Sequence, residues 1–185
     1  MQILETERLV LRPFDDDDME IHRVVFSDPE VCRFYCGKTR TEAETREWLI
    51  HRRWQTRNAD ELGFLAVVRK SDYQIMGLVA LQLCVANWLR YEDKPDDRCH
   101  PLIVELSYAM GREYHRQGYA TEACRALIDY GFKEMRLPRL TNGIAAENIP
   151  SNQLCRTLGF RQVRNVHPKE TGLVWILDNT MAEDL

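Results

Sequence analysis

The sequence predicts an α/β fold in which helices flank a mixed sheet. An apolar strand-like run, Ile103–Met110, precedes a helical pattern over Thr121–Met135 and a second strand-like run, Arg139–Ala145. These three segments form a βαβ unit, whose strands run parallel. Earlier in the chain, Gly63–Lys70 and Ile75–Cys84 read as an antiparallel pair of strands joined by a short polar turn. The two kinds of pairing together predict a mixed sheet.

The N-terminal region predicts one strand followed by helical segments. Leu4–Phe14 alternates as a strand does, and Asp15–Asp18 introduces a helix that runs toward residue 26. The acidic run places carboxylates at the positive end of the helix dipole, and its alternative role is to attract a cationic acceptor. Ser27–Glu30 opens a short helical turn. Thr41–Glu44 is a capping box that starts a helix ending near residue 58.

The C-terminal region predicts a final helix and a closing hairpin. The helix covers Asn148–Leu158, and the strands Phe160–His167 and Leu173–Leu177 enclose a polar turn. Ahead of the βαβ unit lies Asn87–Pro101, a polar segment longer than a hairpin connection needs. Long loops in compact domains are either functional or disordered, and both interpretations stay open.

The bulk composition predicts one ordinary globular domain, residues 1–185. Hydrophobic residues make up 44% of the chain and charged residues 29%, without repeats or low-complexity tracts. The net charge of -4 lacks the basic character that nucleic-acid binding requires, so we expect no direct nucleic-acid partner. Met1–Asp16 is too charged for a signal peptide, and no apolar stretch is long enough to span a bilayer. We therefore expect a cytoplasmic protein without membrane contact.

The six cysteines predict neither disulfides nor a metal site. Cys84, Cys124 and Cys155 stand in apolar or helical settings, where cysteine acts as a small hydrophobe. Cys32 and Cys36 are four residues apart on one helix face, but no His/Cys pair elsewhere has the spacing of a zinc site. We expect reduced thiols and no metal.

The segment from His115 to Ala123 links the first βαβ strand to its helix and has the layout of a phosphate cradle. Backbone amides at a helix N-terminus lack carbonyl partners and face the positive dipole end, so they bind anions. Gly118 permits close approach, and Ala120 keeps the wall of the cradle low. An ordinary strand-turn-helix is the alternative. The sequence contains neither the GxxxxGK[ST] phosphate loop nor the GxGxxG dinucleotide motif.

A second segment gives the cradle its context. Gly118–Ala123, followed by Asn148, Ser151-Asn152 and Leu158-Gly159-Phe160, resembles the GNAT (Gcn5-related N-acetyltransferase) superfamily. The opening Leu4–Pro13 is similar to the first strand of the branch that contains the ribosomal-protein N-terminal acetyltransferases. The resemblance implies a mostly antiparallel mixed sheet with a central, splayed parallel pair, and acetyl-CoA as the acyl donor.

The resemblance also implies a donor site. The pyrophosphate of acetyl-CoA would lie on backbone amides of the cradle, and pantetheine beside the end of the first βαβ strand. Asn148 and Asn152 would contact CoA, or serve only as helix caps. Gln117 stands where a basic residue is common, so one favourable charge is missing. The implied donor-site residues are Tyr108, Ala109, Met110, Arg116, Gln117, Gly118, Tyr119, Ala120, Thr121, Asn148 and Asn152.

Two residues are candidates for proton transfer. Glu105 is a carboxylate within an apolar strand, where burial would raise its pKa toward that of a useful base, although it could instead face solvent or pair with an arginine. A glutamate used by some ribosomal-protein acetyltransferases is replaced here by Gly143. Cys155 occupies the position of the tyrosine acid of many GNAT enzymes, and it is either that acid or a buried core residue.

The predicted function is transfer of an acetyl group from acetyl-CoA to a primary amine by direct attack in a ternary complex. An α-amine is partly neutral at pH 7, unlike a lysine amine, so a protein N-terminus or a small amine metabolite is the easier acceptor. Phe34 and Tyr35 are predicted acceptor contacts. The alternatives are a CoA-binding regulatory or scaffold protein without turnover, and an unrelated α/β domain. A homodimer is left open.

Overall fold

The computed structural model describes residues 2–58, 62–85, 102–164 and 172–180. Its helices are α1 to α4, and its strands are β1 to β8. The strands are β1 (Leu4–Glu5), β2 (Leu9–Pro13), β3 (Gly63–Arg69), β4 (Ile75–Val85), β5 (Leu102–Met110), β6 (Arg139–Ala145), β7 (Arg161–Val163) and β8 (Gly172–Asp178). The helices are α1 (Pro29–Tyr35), α2 (Glu42–Asn58), α3 (Tyr119–Lys133) and α4 (Ile149–Thr157).

The eight described strands are hydrogen-bonded in the order β1-β2-β3-β4-β5-β6-β8-β7. Strands β5 and β6 run parallel, with Glu105 opposite Thr141, while β1-β2, β2-β3, β3-β4, β6-β8 and β7-β8 are antiparallel. This confirms the predicted α/β class with a mostly antiparallel sheet and one parallel pair. The βαβ strands begin and end within one residue of the prediction, because their apolar runs are bounded by polar turns.

The chain divides into two compact units, which are described separately. The first unit comprises Met1–Leu81 and Ser107–Leu127, and the second comprises Gln82–Leu106 and Ile128–Leu185. The predicted Asn87–Pro101 segment and the turn before Gly172 lie outside the described residues.

In the first unit, β3 and the start of β4 are buried on both faces, as their continuous apolar runs require. Trp48 of α2 lies at the centre of an aromatic cluster, with its ring 5.4 Å from Phe14, 4.8 Å from Phe26 and 5.6 Å from Phe64. The predicted capping box is confirmed. The Thr41 amide donates to Glu44 Oε2 at 2.7 Å, and the Glu44 amide donates to Thr41 Oγ1 at 3.2 Å.

One prediction for the N-terminal region was wrong, and the helix predicted to run toward residue 26 is present only as a short segment, residues 20–26, that begins after the acidic run. The single strand over Leu4–Phe14 is instead a hairpin of β1 and β2, because the turn between them is held by polar contacts described below. The acidic run does not start a regular helix. The Asp18 carboxylate closes a turn by accepting the Asp15 amide at 2.7 Å and two hydrogen bonds from Arg12 at 2.7 and 2.8 Å. A π-helical turn follows at His22–Phe26.

In the second unit, β8 lies between β6 and β7 and pairs with β6 along its whole length, from Arg139–Asp178 to Ala145–Gly172. The unit has a buried cluster formed by Ile103, Val163, Val174 and Ile176. The predicted final helix and closing hairpin are confirmed, although β7 is shorter than predicted within the described residues.

One glycine of the first unit allows two strands to approach closely. A Cβ on Gly77 of β4 would lie 2.2 Å from the Ala109 carbonyl oxygen and 2.8 Å from Met110 Cα. Both neighbours are backbone atoms of β5 and cannot rotate away. Beside this contact, the Gly111 amide donates to the Met76 carbonyl at 2.9 Å.

We therefore expect Gly77→Ala to lower the free energy of unfolding by about 1–3 kcal/mol, the usual cost of overpacking. Urea denaturation followed by circular dichroism measures the change. Gly172→Ala is the control, since its added Cβ would meet the Ile144 carbonyl oxygen at an ordinary 3.4 Å. Equal stability of Gly77→Ala and wild type would contradict the close approach.

Candidate active site

The loop that begins α3 has the geometry of an anion-binding cradle. Arg116 and Gly118 both have left-handed backbone conformations, with φ of 57° and 82°, and Tyr119 begins the helix. Left-handed residues next to right-handed ones turn successive amide hydrogens toward one side, which produces a concave anion site. His115 Nε2 donates to the Met110 carbonyl oxygen at 2.9 Å and ties the loop to the end of β5. The predicted cradle residues are thus brought together at one helix N-terminus.

The cradle is anchored by Glu122, in the first turn of α3. Its Oε1 accepts the Thr6 hydroxyl at 2.6 Å and the Arg8 amide at 2.9 Å, while Oε2 accepts Arg8 Nε at 2.7 Å. Its side chain is 17% exposed. Burial opposes ionisation, but the hydrogen bonds from Thr6 and Arg8 outweigh it and hold the pKa of Glu122 below its ordinary value. The carboxylate therefore joins the β1-β2 turn to the start of α3.

Arg8 brings a positive charge to the cradle. Its Nη1 donates to the Gln117 carbonyl at 3.1 Å, and its guanidinium lies 4.4 Å from the centre of the Tyr119 ring. A Cβ on Gly118 would come within 3.3 Å of Arg8 Nη2. Gln117 lacks the usual basic charge, and neither Arg8 nor Glu122 was among the predicted site residues. The contact between Arg8 and Glu122 could not be predicted from local sequence patterns, because 114 residues separate them.

The end of β5 passes close to the cradle and is held on both sides. Ala109 and Met110 are buried, and Tyr108 is half-buried. The Gly77 and Met76 contacts of β4 fix this segment from one side, and His115 fixes it from the other. The predicted pantetheine strand therefore has a fixed position within the first unit.

The two predicted acceptor contacts lie in the last turn of α1 and not in the loop that follows it. Phe34 is 39% exposed. Tyr35 is half-buried, and its side chain lies near Ser107 of β5. Burial raises the pKa of Tyr35 well above its ordinary value. Tyr35 therefore keeps its proton and acts as a hydrogen-bonding group near β5.

In the second unit, Glu105 is held by three donors. Its Oε2 accepts Gln82 Nε2 at 3.3 Å and the Cys84 thiol at 3.4 Å, and its Oε1 accepts the Gly143 amide at 3.3 Å. The structure places this half-buried carboxylate at Gly143, the strand position where the resemblance leads us to expect a glutamate. The carboxylate therefore reaches that place from the neighbouring strand. Among the described residues it has no arginine partner, which was one of the alternatives predicted from the sequence.

Asn148 and Asn152 both organise the start of α4. Asn148 Oδ1 accepts the Ser151 amide at 3.3 Å, which confirms the predicted N-cap. Asn152 is 2% exposed. Its Nδ2 donates to the carbonyls of Ala145, at 3.0 Å, and Asn148, at 2.9 Å, while its Oδ1 accepts Trp175 Nε1 at 2.9 Å. The Asn152 side chain is thus engaged within the second unit.

Cys155 is fully buried on α4, three residues after Asn152. Glu105 shares its sheet face with Thr141 and Ile176, because these residues are opposite one another in adjacent strands. Trp175 points to the other face, toward α4. The structure therefore places the two predicted proton carriers on opposite faces of the strands of this unit.

The described residues contain no group of three or more His, Cys, Asp or Glu side chains arranged to hold a metal ion. The five described cysteines are thiols. Burial raises the pKa of the Cys32 thiol to about 12, so this thiol is protonated at neutral pH. Among the helices that the structure describes, none combines the length and apolarity needed to cross a membrane.

Comparisons with known proteins were made by family, sequence and structure. The family model described as an acetyltransferase (GNAT) domain matches residues 8–161. An uncharacterized N-acetyltransferase of Bacillus licheniformis is 28% identical over 162 residues, covering 88% of this chain and 84% of its own. A GNAT-family acetyltransferase structure from Bacillus anthracis has a TM-score of 0.73 at 22% identity, covering 95% of this chain and 96% of its own.

A further solved structure has the same fold and carries a ligand. The ribosomal-protein α-N-acetyltransferase RimL, in complex with coenzyme A, has a TM-score of 0.73 at 12% identity. The match covers 96% of this chain and 98% of RimL. In that complex a cysteine of RimL forms a disulfide with CoA. At this identity the likeness establishes the fold alone.

The Glu122 anchor predicts a specific pH dependence of stability. Because folding lowers the pKa of this carboxylate below its ordinary 4.5, its contribution is fully present above that value and is lost as pH falls through the folded-state pKa. Glu122→Gln should lower the free energy of unfolding by about 1–3 kcal/mol at pH 7, and this difference in stability from wild type should become smaller in acid. Melting temperatures between pH 3 and 7 measure this.

The matched control for this experiment is Glu113→Gln, an exposed glutamate whose side chain contacts Arg23 at the surface. It should change stability little at any pH. If Glu122→Gln and Glu113→Gln followed the same pH curve, the anchor would have no energetic role.

Proposed function

Because the chain belongs to the GNAT acetyltransferase domain family, we propose that it is an N-acetyltransferase, which transfers the acetyl group of acetyl-CoA to a primary amine. The observation that carries the proposal is the cradle at the start of α3, with left-handed Arg116 and Gly118 and the adjacent Arg8 cation. The acceptor is a protein N-terminal α-amine or a small amine. It attacks directly while both substrates are bound.

The donor binds through backbone groups more than through side chains. The pyrophosphate oxygens accept hydrogen bonds from the backbone amides of Arg116 and of Gly118 to Thr121. A helix N-terminus binds anions in this way because its amides are unpaired and its dipole end is positive. Arg8, which is paired with Glu122, places a guanidinium beside Gln117. Pantetheine lies along Tyr108, Ala109 and Met110. Asn148 and Asn152 contribute by holding the first turn of α4, and each remains a candidate CoA contact.

Glu105 is the proposed base. The attacking amine must lose a proton, and a half-buried carboxylate with fixed orientation can accept it directly or through one water. The amine nitrogen forms a bond to the thioester carbonyl carbon, and the carbon–sulfur bond then breaks. An α-amine with a pKa of about 7.7–8.0 needs less help from the base than a lysine amine does.

The predicted acid Cys155, which would donate its thiol proton to the departing CoA thiolate, lies fully buried on the opposite sheet face from Glu105, and both observations count against this role. The cysteine thiol and the CoA thiol are acids of similar reference pKa, so proton transfer from one to the thiolate of the other leaves a cysteine thiolate and has little driving force in either direction. The complete burial of Cys155 favours the alternative role, a residue of the core.

The ribosomal-protein acetyltransferase among the structural relatives also supports a protein N-terminus as the acceptor. The competing function is a CoA-binding scaffold that does not turn over. Release of free CoA thiol in the presence of an amine separates the two, since only an enzyme consumes acetyl-CoA.

Acetyl-CoA should raise the melting temperature of the wild type, because a ligand that binds the native state stabilises it. Gly118→Trp should abolish this rise, since a side chain there fills the cradle beside Arg8. Gly37→Trp is the control. Gly37 has a similar φ of 80°, but its added Cβ meets nothing within 4 Å. No shift of the wild type at saturating acetyl-CoA would refute the donor site.

Glu105→Gln should reduce kcat by about 10²-fold or more while leaving the acetyl-CoA thermal shift unchanged. The glutamine keeps the size of the side chain but cannot accept a proton. Thiol release measured over pH 6–9 checks this, and the variant should recover at high pH as the amine becomes neutral by itself. A variant with wild-type kcat at pH 7 would show that Glu105 has only a structural role.

A further inference from the structure

Two side chains of β4 bind the same oxygen of Glu105. Gln82 and Cys84 are two residues apart on this strand and therefore point to the same face. Gln82 Nε2 donates to Glu105 Oε2 at 3.3 Å, and the Cys84 thiol donates to it at 3.4 Å. An ionised carboxylate only accepts hydrogen bonds, so the Gln82 amide must present its nitrogen and the cysteine its S–H. One strand thus supplies both donors to Oε2.

The other oxygen of Glu105 is less occupied. Oε1 accepts the Gly143 amide of β6 at 3.3 Å, which is its one hydrogen-bond donor among the described residues. Each carboxylate oxygen has about two lone-pair sites for hydrogen bonds, so those of Oε2 are both used while Oε1 keeps one. Gly143 is exposed and has no side chain that could cover this oxygen. The remaining lone pair is therefore on Oε1.

The two oxygens also differ in their surroundings. Cys84 packs against the buried apolar cluster of the second unit, so Oε2 lies toward the core of that unit. Oε1 instead lies beside the exposed backbone of Gly143. A proton that comes from a substrate or from water therefore reaches Oε1 more readily than Oε2.

All three donors to Glu105 are neutral groups. A cationic donor would bind the carboxylate about twice as strongly and would favour its anionic form. Neutral donors at 3.3–3.4 Å fix the direction of the carboxylate and leave it able to take up a proton. A general base needs both properties, because it must be oriented before the proton arrives and must then accept it.

We propose that Gln82 and Cys84 are positioning residues for Glu105, which hold Oε2 so that Oε1 accepts the proton of the acceptor amine, directly or through one water. This inference rests on the proposed acetyltransferase function and assigns the role of base to one atom. The amine nitrogen uses its lone pair for the bond to the acetyl carbon, and its excess proton moves to Oε1. The CoA sulfur leaves with the electron pair of the broken carbon–sulfur bond.

The first test removes each donor of Oε2 separately. Gln82→Met keeps the length of the side chain without its N–H group, and it should lower kcat about fivefold while leaving KM for acetyl-CoA unchanged. Cys84→Ala should also lower kcat, and Cys84→Ser should restore it because the hydroxyl returns a donor. Gln162→Met is the matched control, since Gln162 of β7 is exposed, and its kcat should equal that of wild type.

The second test asks whether these losses act through Glu105. Gln82→Met is combined with Glu105→Gln, and kcat of the double variant is compared with that of each single variant. A positioning residue has nothing to position once the base is removed, so Gln82→Met should change kcat by less than about twofold in the Glu105→Gln background. A role in packing alone would give the same loss of about fivefold in both backgrounds.

The third test does not depend on turnover. Amide hydrogen exchange, followed by NMR on isotope-labelled protein, reports on the Gly143 N–H that donates to Glu105 Oε1. Loss of the Gln82 donor loosens the carboxylate, so Gln82→Met should raise the exchange rate at Gly143 about fivefold. The Ile144 amide of the same strand should keep its rate in this variant, and both amides should keep theirs in Gln162→Met.

A wild-type kcat in Gln82→Met overturns the inference, and so does wild-type exchange at Gly143 in that variant. Equal losses of kcat in the two backgrounds of the second test assign Gln82 to packing, which also overturns it. Absence of thiol release by the wild type with any amine is a different result. It refutes the proposed function, and the inference falls with it.

Discussion

The carboxylate of Glu122 is the constraint on which the cradle depends. A carboxylate that is largely removed from water is costly unless its oxygens are hydrogen-bonded, and here Thr6 and Arg8 supply the donors. Those donors sit in the turn between β1 and β2, which cannot straighten without losing them. The same pairing orients Arg8 toward Gln117 and Tyr119. One ion pair, between Arg8 and the largely buried Glu122, therefore fixes both the break in the first strand and the position of the loop that would hold phosphate.

The chemistry of the chain is carried by groups that reach their places from neighbouring elements. Arg8 stands at the cradle where Gln117 offers no charge, and the Glu105 carboxylate is bonded to the amide of Gly143. In both cases the functional group comes from another element of the chain. A donor site made mainly of backbone amides tolerates this exchange, because its geometry depends on φ and ψ and only weakly on side-chain identity.

Local signals predicted much of the fold, and long-range contacts account for the rest. The βαβ unit, the Thr41–Glu44 capping box and the Asn148 cap follow from patterns within a few residues, where apolar period and cap chemistry act directly. The π-helical turn and the β1-β2 break depend on partners far along the chain. The stacking of Arg40 and Arg52 on Trp48 could likewise not be predicted from the sequence, since no periodicity relates residues that meet only through tertiary packing. The catalytic assignments of Glu105 and Cys155 stay predictions, and the structure adds that they face opposite sides.

The insertion of β8 between β6 and β7 has a consequence for synthesis on the ribosome. The described part of β7 ends at Val163, and β8, which pairs with both β7 and β6, begins at Gly172. Neither β7 nor the free edge of β6 can therefore pair with β8 until β8 has been synthesised. The sheet of the second unit therefore cannot close while its last strand is still in the exit tunnel. Until then the edge of β6 is open to non-native pairing, which makes the nascent chain a candidate client for chaperones. The late closure would slow folding, because it joins β6 to β8 across helix α4 and strand β7.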